Sequence, residues 1–188
     1  MILPNSKYIE QQLSEIKNRK GKNAFLESIM SYPTATVLHE ANGHRTTLFH
    51  GNKGPKTGTW EQTKQMAFEL NEAGFDVAFI PEIENETCAD ILIHNEKSFR
   101  LADFKYCVTK RSSTLASELE HGFKQAETVI IKLEHIDSGQ FNEAIDYLIR
   151  NKIPYGNILL INKYGRVRII TYKDIRNEGY IRKTKGFL

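Results

Sequence analysis

An acid and a base lie two residues apart in the middle of a strand-like segment, Arg100 to Cys107, which reads RLADFKYC. Side chains alternate along a strand, so Asp103 and Lys105 point to one face and Ala102, Phe104 and Tyr106 to the other. An exposed ion pair of this kind would contribute under about 1 kcal/mol and need no function. A buried pair would instead mark a charged site.

A third charged residue, Asp90, precedes the apolar residues of the preceding strand-like segment, CADILI. Seven residues, HNEKSFR, separate Ile93 from Leu101, which favours antiparallel neighbours joined by a hairpin. If the apolar faces of both strands share a core, Asp90 and Asp103 lie on the same side and repel one another. A divalent cation relieves that repulsion, and hard oxygen ligands suit Mg²⁺ or Mn²⁺.

The elements around these residues alternate between helix and strand. Apolar spacing predicts helices over 6–19, 23–30, 60–73, 113–127 and 139–152, with Thr59 and Ser138 as caps of the third and fifth. A hairpin turns at Asn42-Gly43. Further strands are predicted over 75–80, 89–95, 100–108 and 128–134, followed by two around a Tyr164-Gly165 turn. This order predicts an α/β sandwich with a central mixed sheet flanked by helices.

Composition fits a soluble globular chain with a mild preference for anionic partners. The 188 residues include 26 Lys and Arg against 23 Asp and Glu, a net charge of +3. Cys88 and Cys107 could form one disulfide, although two buried thiols in a reducing compartment suit the sequence better. No apolar run approaches the roughly 18 residues of a membrane span, and the start of the chain lacks a signal-peptide pattern. We therefore expect a cytosolic site of action.

The order of the charged residues resembles the PD-(D/E)XK nuclease superfamily, which has a restriction-endonuclease-like α/β sandwich. Asp90 matches the first acid, and Asp103-Phe104-Lys105 matches the acid-any-lysine element. Glu61, in the first turn of a predicted helix, matches the helical glutamate. Ala89 replaces the proline that often precedes the first acid.

Over residues 58–172 the chain more closely resembles the C-terminal tRNase domains of CdiA-type contact-dependent inhibition toxins. The resemblance runs through NEAGFDVAFIPE, ADILIHN, LADFKYC and GFKQAETVIIKL. It implies an endonuclease that acts on RNA, tRNA in particular, ahead of DNA. By analogy it also implies delivery into target cells and a neutralising immunity protein. Related domains occur in mobile elements.

The resemblance also assigns roles to residues. Asp90, Asp103 and Glu61 would hold the metal, Mg²⁺ first and Mn²⁺ or Zn²⁺ as alternatives, with the backbone carbonyl of Phe104 as a further ligand. Lys105 would orient the attacking water or stabilise charge on the phosphorus oxygens. The residues expected to contact the substrate are Lys124 and Gln125 at the scissile phosphate, and Lys53, Lys56, Arg182 and Lys183 along the backbone.

Other interpretations compete with these. Glu69 and Glu82 are rivals of Glu61 as the third acid. His39, His44 and His50 could bind zinc, but their spacing is not a usual zinc pattern. The loop GNKGPKTGT does not fit a P-loop. A DNA endonuclease, a non-catalytic nucleic-acid-binding protein and a structural cation site are the alternatives to an RNase.

Three segments complete the predicted organisation. They are a helical N-terminal extension over 1–32, a nuclease-like domain over 33–175 and a basic tail over 176–188.

Overall fold

The computed structural model describes residues 5–49, 60–81, 89–95 and 98–188. They form two compact units, one up to Leu101 and one from Ala102 to Leu188. Each unit has parallel and antiparallel strand pairs with helices packed on them, which confirms the predicted α/β class with a mixed sheet and flanking helices. In the described part of the chain, no helix is long and apolar enough to cross a membrane. The predicted boundaries at residues 32 and 175 stay predictions.

The helices of the first unit begin close to the predicted positions. They are α1 (Ser6–Glu15), α2 (Arg19–Met30) and α3 (Trp60–Glu72). The Asn5 side chain accepts a hydrogen bond from Tyr8 N and caps α1. The Asn18 side chain accepts one from Gly21 N, so α2 begins at Arg19, four residues before the predicted start. The basic stretch between the two apolar patterns is therefore largely helical.

The first-unit strands follow the predicted order. They are β1 (Ala35–Ala41), β2 (His44–Phe49), β3 (Asp76–Phe79) and β4 (Ile91–Asn95). β1 and β2 form the predicted antiparallel hairpin, and the φ angles of Asn42 and Gly43 are 54° and 79°. Positive φ at both central residues is the requirement of a type I′ turn, so this prediction is confirmed. β3 pairs parallel with β2 and antiparallel with β4.

The core of the first unit joins α1 and α2 to the sheet. Its buried apolar residues are Ile9, Leu26, Ile29, Met30, Ala78, Ile80 and Leu92. Helix α3 packs on β1, β2 and β3. Two ring contacts fix it there: Trp60 meets Phe79 edge-on at 4.9 Å, and Phe68 stacks on His39 at 4.3 Å.

The second unit starts within a long strand. The elements, in order, are β5 (Ser98–Cys107), α4 (Ser112–Gln125), β6 (Thr128–Leu133), α5 (Ser138–Arg150), β7 (Asn157–Ile161), β8 (Val167–Ile170), α6 (Tyr172–Arg176) and α7 (Gly179–Thr184). The cap of α5 is Asp137 in a capping box with Gln140, so the prediction of Ser138 as the cap was wrong by one residue.

Strands β5, β6 and β7 are parallel, and β8 closes the unit antiparallel to β7. The main apolar cluster lies under α4 and α5, and includes Leu115, Leu119, Val129, Ile131, Phe141, Ile145, Ile158 and Leu160. The backbone approaches itself closely at Gly156, where a Cβ atom would lie 1.9 Å from the carbonyl oxygen of Glu127.

The C-terminal residues form defined structure on this unit. Ser138 Oγ donates a hydrogen bond to the Thr184 carbonyl at 2.8 Å. Lys183 Nζ lies 2.7 Å from Asp174 Oδ2, and the Arg168 guanidinium lies 4.4 Å from the ring centroid of Phe187. The residues predicted as a basic tail thus include helix α7, which packs on the rest of the second unit.

Candidate active site

Asp103 and Lys105 form a buried ion pair on β5. Asp103 Oδ2 lies 2.7 Å from Lys105 Nζ, and the side chains are 1% and 15% exposed respectively. The pair thus shares one face of the strand, as the alternation of side chains requires. The alternative of an exposed pair on a solvated face is wrong, because Asp103 has almost no contact with solvent.

Apolar neighbours and helix α4 cause this burial. In the parallel register, Asp103 is the partner of Val129 and Lys105 the partner of Ile131, and both partners belong to the main apolar cluster. Above the pair, α4 approaches through Gly122, where a Cβ atom would lie 3.1 Å from Asp103 Oδ2. Desolvating an ion pair in this way is a poor source of stability, which makes a functional role the better explanation.

The predicted substrate residues Lys124 and Gln125 end helix α4. Lys124 is 62% exposed, and its Nζ lies 2.9 Å from Oε1 of Glu120. The hydrogen bond from Lys124 lowers the pKa of Glu120 below its usual value. The ammonium of Lys124 is therefore accessible from solvent but already has a carboxylate partner. Gln125 is half-buried.

The two acids of α3 have opposite environments. Glu61 is 79% exposed, and its Oε1 lies 2.6 Å from Lys64 Nζ. Glu69 is buried, and its Oε1 accepts a long hydrogen bond of 3.5 Å from Gln65 Nε2. An exposed carboxylate can give up its lysine partner for a metal ion at little cost in free energy, whereas a buried carboxylate is held in place by its neighbours. Glu61 as the helical acid stays a prediction, with Glu69 as its rival.

Phe104 lies on its predicted strand, whereas Asp90 directly precedes β4, so its prediction as a strand residue was wrong by one position. Asp90 is half-buried just before β4, and its carbonyl accepts a hydrogen bond from Ile80 N at 3.2 Å. Phe104 is buried in β5 and is the register partner of Ile130. Their roles as metal ligands stay predictions.

The remaining predicted residues divide into two groups. Lys183 is bonded to Asp174 and donates to the Ile169 carbonyl, so it holds α7 in place, while Arg182 is exposed. The residues that lie outside the described ranges are Thr59 as a cap, Lys53, Lys56, Glu82, His50 and Cys88.

The histidines of the hairpin have local partners. His39 stacks on Phe68, and His44 Nδ1 lies 3.4 Å from Asp76 Oδ2. Within residues 5–49, 60–81, 89–95 and 98–188, no group of three or more His, Cys, Asp or Glu side chains is arranged to hold a metal ion.

Sequence reasoning missed the role of Gly122, which lets helix α4 lie close to Asp103. A glycine within a helical pattern was the available signal for a close approach, since it lowers helix stability and needs a packing reason.

Comparison with known proteins gives one structural likeness. No protein-family model matches the chain, and no curated protein matches it. The chain is similar to a chain of the CdiA-CT/CdiI toxin and immunity complex from Burkholderia pseudomallei, with a TM-score of 0.48 and 19% identity. The match covers 67% of this chain and 98% of that chain. This likeness concerns the fold and assigns no activity.

Proposed function

We propose that this chain is a metal-dependent phosphodiester hydrolase whose chemistry centres on Asp103 and Lys105, with RNA, tRNA in particular, as the substrate. The observation that carries the proposal is the buried pair, with 2.7 Å between the carboxylate and the ammonium. The acid-any-lysine pattern of the PD-(D/E)XK nucleases predicts this carboxylate and this lysine on one strand face.

The Asp103 carboxylate suits a divalent cation. It offers a hard oxygen ligand in a site from which water is excluded, the environment in which an ion acts most strongly on a bound group. Asp90, Glu61 and the Phe104 carbonyl are proposed as further ligands from the sequence resemblance alone, since the described residues contain no group of three acids or histidines arranged to hold a metal ion. Mg²⁺, or Mn²⁺ in its place, would supply Lewis-acid stabilisation of charge on a phosphodiester oxygen.

Lys105 supplies positive charge at the same place. Because its ammonium already lies against Asp103, a cation bound by that carboxylate would compete with it and redirect the ammonium toward the substrate. There it would hold the attacking water or a phosphorus oxygen, and little solvent would screen the interaction.

Lys124, at the end of helix α4, is the proposed phosphate contact. Its surface ion pair with Glu120 contributes little, so exchanging that carboxylate for a phosphate oxygen costs little. Gly122, two residues earlier, faces Asp103, and the Lys124 side chain leaves the helix about 200° around from it, so its role at the phosphate is proposed from the sequence resemblance alone.

As a toxin, the enzyme would act in the cytosol of the cell it enters, and its producer would need an immunity protein. As a mobile-element nuclease it would need neither delivery nor an inhibitor. The chemistry at Asp103 and Lys105 is the same in both cases.

The test is cleavage of a tRNA pool and of plasmid DNA with Mg²⁺, Mn²⁺ or EDTA. We expect tRNA cleavage that stops in EDTA and in Asp103→Asn, but continues in Glu143→Gln, a control at an exposed acid of α5. Cleavage of plasmid DNA alone would reassign the substrate. Nucleic-acid binding without cleavage under every metal condition would show a non-catalytic binding protein and overturn the proposal.

A further inference from the structure

A cavity of about 370 Å³ opens at the carboxyl ends of the parallel strands of the second unit. Its lining comes from the segments that follow β5, β6 and β7 and from Phe187 and Leu188, and six of its polar or aromatic residues are Lys110, Glu134, His135, Asp137, Lys163 and Tyr164. The carboxyl ends of parallel strands are where open α/β sheets most often bind ligands. We call this cavity the strand-end pocket.

The acids of the strand-end pocket form hydrogen bonds within the protein, whereas its lysines have no acidic partner among the residues that the structure describes. Glu134 Oε1 accepts a hydrogen bond from the Tyr106 hydroxyl at 2.9 Å. Asp137 Oδ1 accepts one from Gln140 N at 2.9 Å as the cap of α5. Neither Lys110 nor Lys163 has an acidic partner among the residues that the structure describes. The Lys110 and Lys163 ammonium groups are therefore the charged groups of the pocket that can donate to a phosphate oxygen.

An exposed aromatic ring stands beside these cations. Tyr164 is 73% exposed, and Lys163 Nζ lies 5.0 Å from its ring centroid. The turn that carries the ring is held by Asn162, whose Oδ1 accepts hydrogen bonds from Tyr164 N at 3.0 Å and from Arg166 N at 3.1 Å. The Asn162 amide also donates to the Phe187 carbonyl at 2.8 Å. The backbone of this turn is thus fixed before any ligand arrives, which lowers the entropy cost of binding.

We propose that the strand-end pocket binds a single-stranded segment of nucleic acid outside the bond that is cleaved. A base stacks on Tyr164, and the adjacent phosphates lie against Lys163 and Lys110. An aromatic platform flanked by cations is the usual means of binding single strands without reading their sequence. An isolated phosphate would use the cations but not the ring. This inference rests on the proposed function, because it adds a second contact to the same substrate.

The test measures binding apart from cleavage. The Asp103→Asn chain in EDTA is titrated against a fluorescein-labelled single-stranded 20-nucleotide RNA, and Kd is read by fluorescence anisotropy. Adding Tyr164→Ala should raise Kd at least fivefold, because one base stack is lost. Tyr147→Ala, which removes an exposed tyrosine of α5, is the matched control and should leave Kd unchanged.

The salt dependence gives a second readout. The Lys110→Ala/Lys163→Ala variant should reduce the slope of log Kd against log salt by roughly 1.4, since each phosphate contact to a single strand contributes about 0.7. In active protein the same changes should raise KM for a long RNA and leave kcat unaltered.

The outcomes separate this inference from the proposed function. If the parent chain cleaves RNA but Tyr164→Ala and the lysine variant match it in Kd, salt slope and KM, the pocket is not a binding site and the nuclease proposal stands. If the parent chain neither binds nor cleaves nucleic acid with any metal, the proposed function fails and the inference fails with it.

Discussion

A Cβ atom on Gly122 would lie 3.1 Å from Oδ2 of Asp103, so α4 approaches β5 closely at the buried acid itself. The same atom would lie 2.7 Å from Cγ2 of Val129, a distance that forces a shift. Helix α4 thus covers the ion pair, and it can lie this close only because Gly122 has no side chain.

We predict that Gly122→Ala destabilises the protein by about 1–2 kcal/mol. Alanine favours a helix by about 1 kcal/mol over glycine, but overpacking against fully buried Val129 costs more. Urea denaturation of Gly122→Ala, Val129→Ala and the double variant measures this. The double variant should lose less than the sum of the two single changes, since Val129→Ala makes room. A strictly additive result would contradict the contact.

Two variants of the Asp103–Lys105 pair should differ in stability although both lose activity. Lys105→Met leaves a buried carboxylate without its ammonium partner and should cost about 3–5 kcal/mol. Asp103→Asn/Lys105→Met removes both charges and should be more stable than Lys105→Met alone. Cleavage should be lost in both variants. Denaturation and tRNA cleavage on the same preparations provide the check, and a double variant that cleaves would remove these residues from the chemistry.

Glu120 should weaken substrate binding, because its carboxylate forms an ion pair with the Lys124 ammonium. Glu120→Gln leaves the Lys124 ammonium available to a phosphate, so we expect tighter RNA binding, about threefold to tenfold, and weaker binding for Lys124→Ala. Glu143→Gln on α5 removes the same charge elsewhere and controls for the change in net charge. The comparison uses anisotropy in EDTA. Equal Kd for Glu120→Gln and Glu143→Gln would show that Lys124 makes no phosphate contact.

The ion pair between Lys183 and Asp174 should give a defined pH dependence of stability. Burial alone would raise the pKa of Asp174, but hydrogen bonds from Lys183 and Thr171 outweigh it, so the pKa is lower than usual. The unfolded carboxyl titrates near pH 3.9, so this stabilisation is fully present above that pH and is lost as pH falls through the lower folded pKa. Lys183→Met should cost about 1 kcal/mol from pH 5 to 7.

Thermal unfolding of both proteins from pH 7 to pH 2 tests this. The difference in stability should stay constant down to about pH 4 and then shrink. A difference that persists unchanged to pH 2 would mean that Lys183 stabilises α7 only through its other contact, the Ile169 carbonyl.

Cys107 should resist thiol reagents in the folded protein. Burial raises the pKa of its thiol above the usual value and outweighs the hydrogen bond from Thr109 that lowers it. The reactive thiolate is therefore scarce at neutral pH. In a Cys88→Ser background, a chromogenic disulfide reagent should react with Cys107 at the rate of unfolding. Rapid reaction in native buffer would contradict its burial.

Local patterns predicted the elements well, because each depends on a short stretch of chain. The Asn42-Gly43 turn and the alternation of Asp103 and Lys105 needed no more than neighbouring residues. Errors arose where two good caps adjoin: both Asp137 and Ser138 can cap a helix, and only the reciprocal bond with Gln140 decides for Asp137. Asn18 was overlooked in the same way, because a basic stretch hid the cap of α2.

The environment of the candidate site was harder to predict than its residues. Whether Asp103 is exposed depends on α4, and no pattern in β5 reports what lies above it. The difference between Glu61 and Glu69 also has a tertiary origin, since both occupy one helix but only Glu69 is buried. The strand-end pocket needs the parallel order of three strands, which the sequence left open.

The close approach of Gly156 to the Glu127 carbonyl predicts which amino acid homologous chains carry at this position. A distance of 1.9 Å from a Cβ atom to a backbone oxygen excludes every other amino acid unless β7 starts elsewhere. Homologues that keep this register should thus carry an invariant glycine just before the strand, even where the surrounding residues have diverged. That single position offers an anchor for aligning distant relatives whose overall identity is too low to guide it.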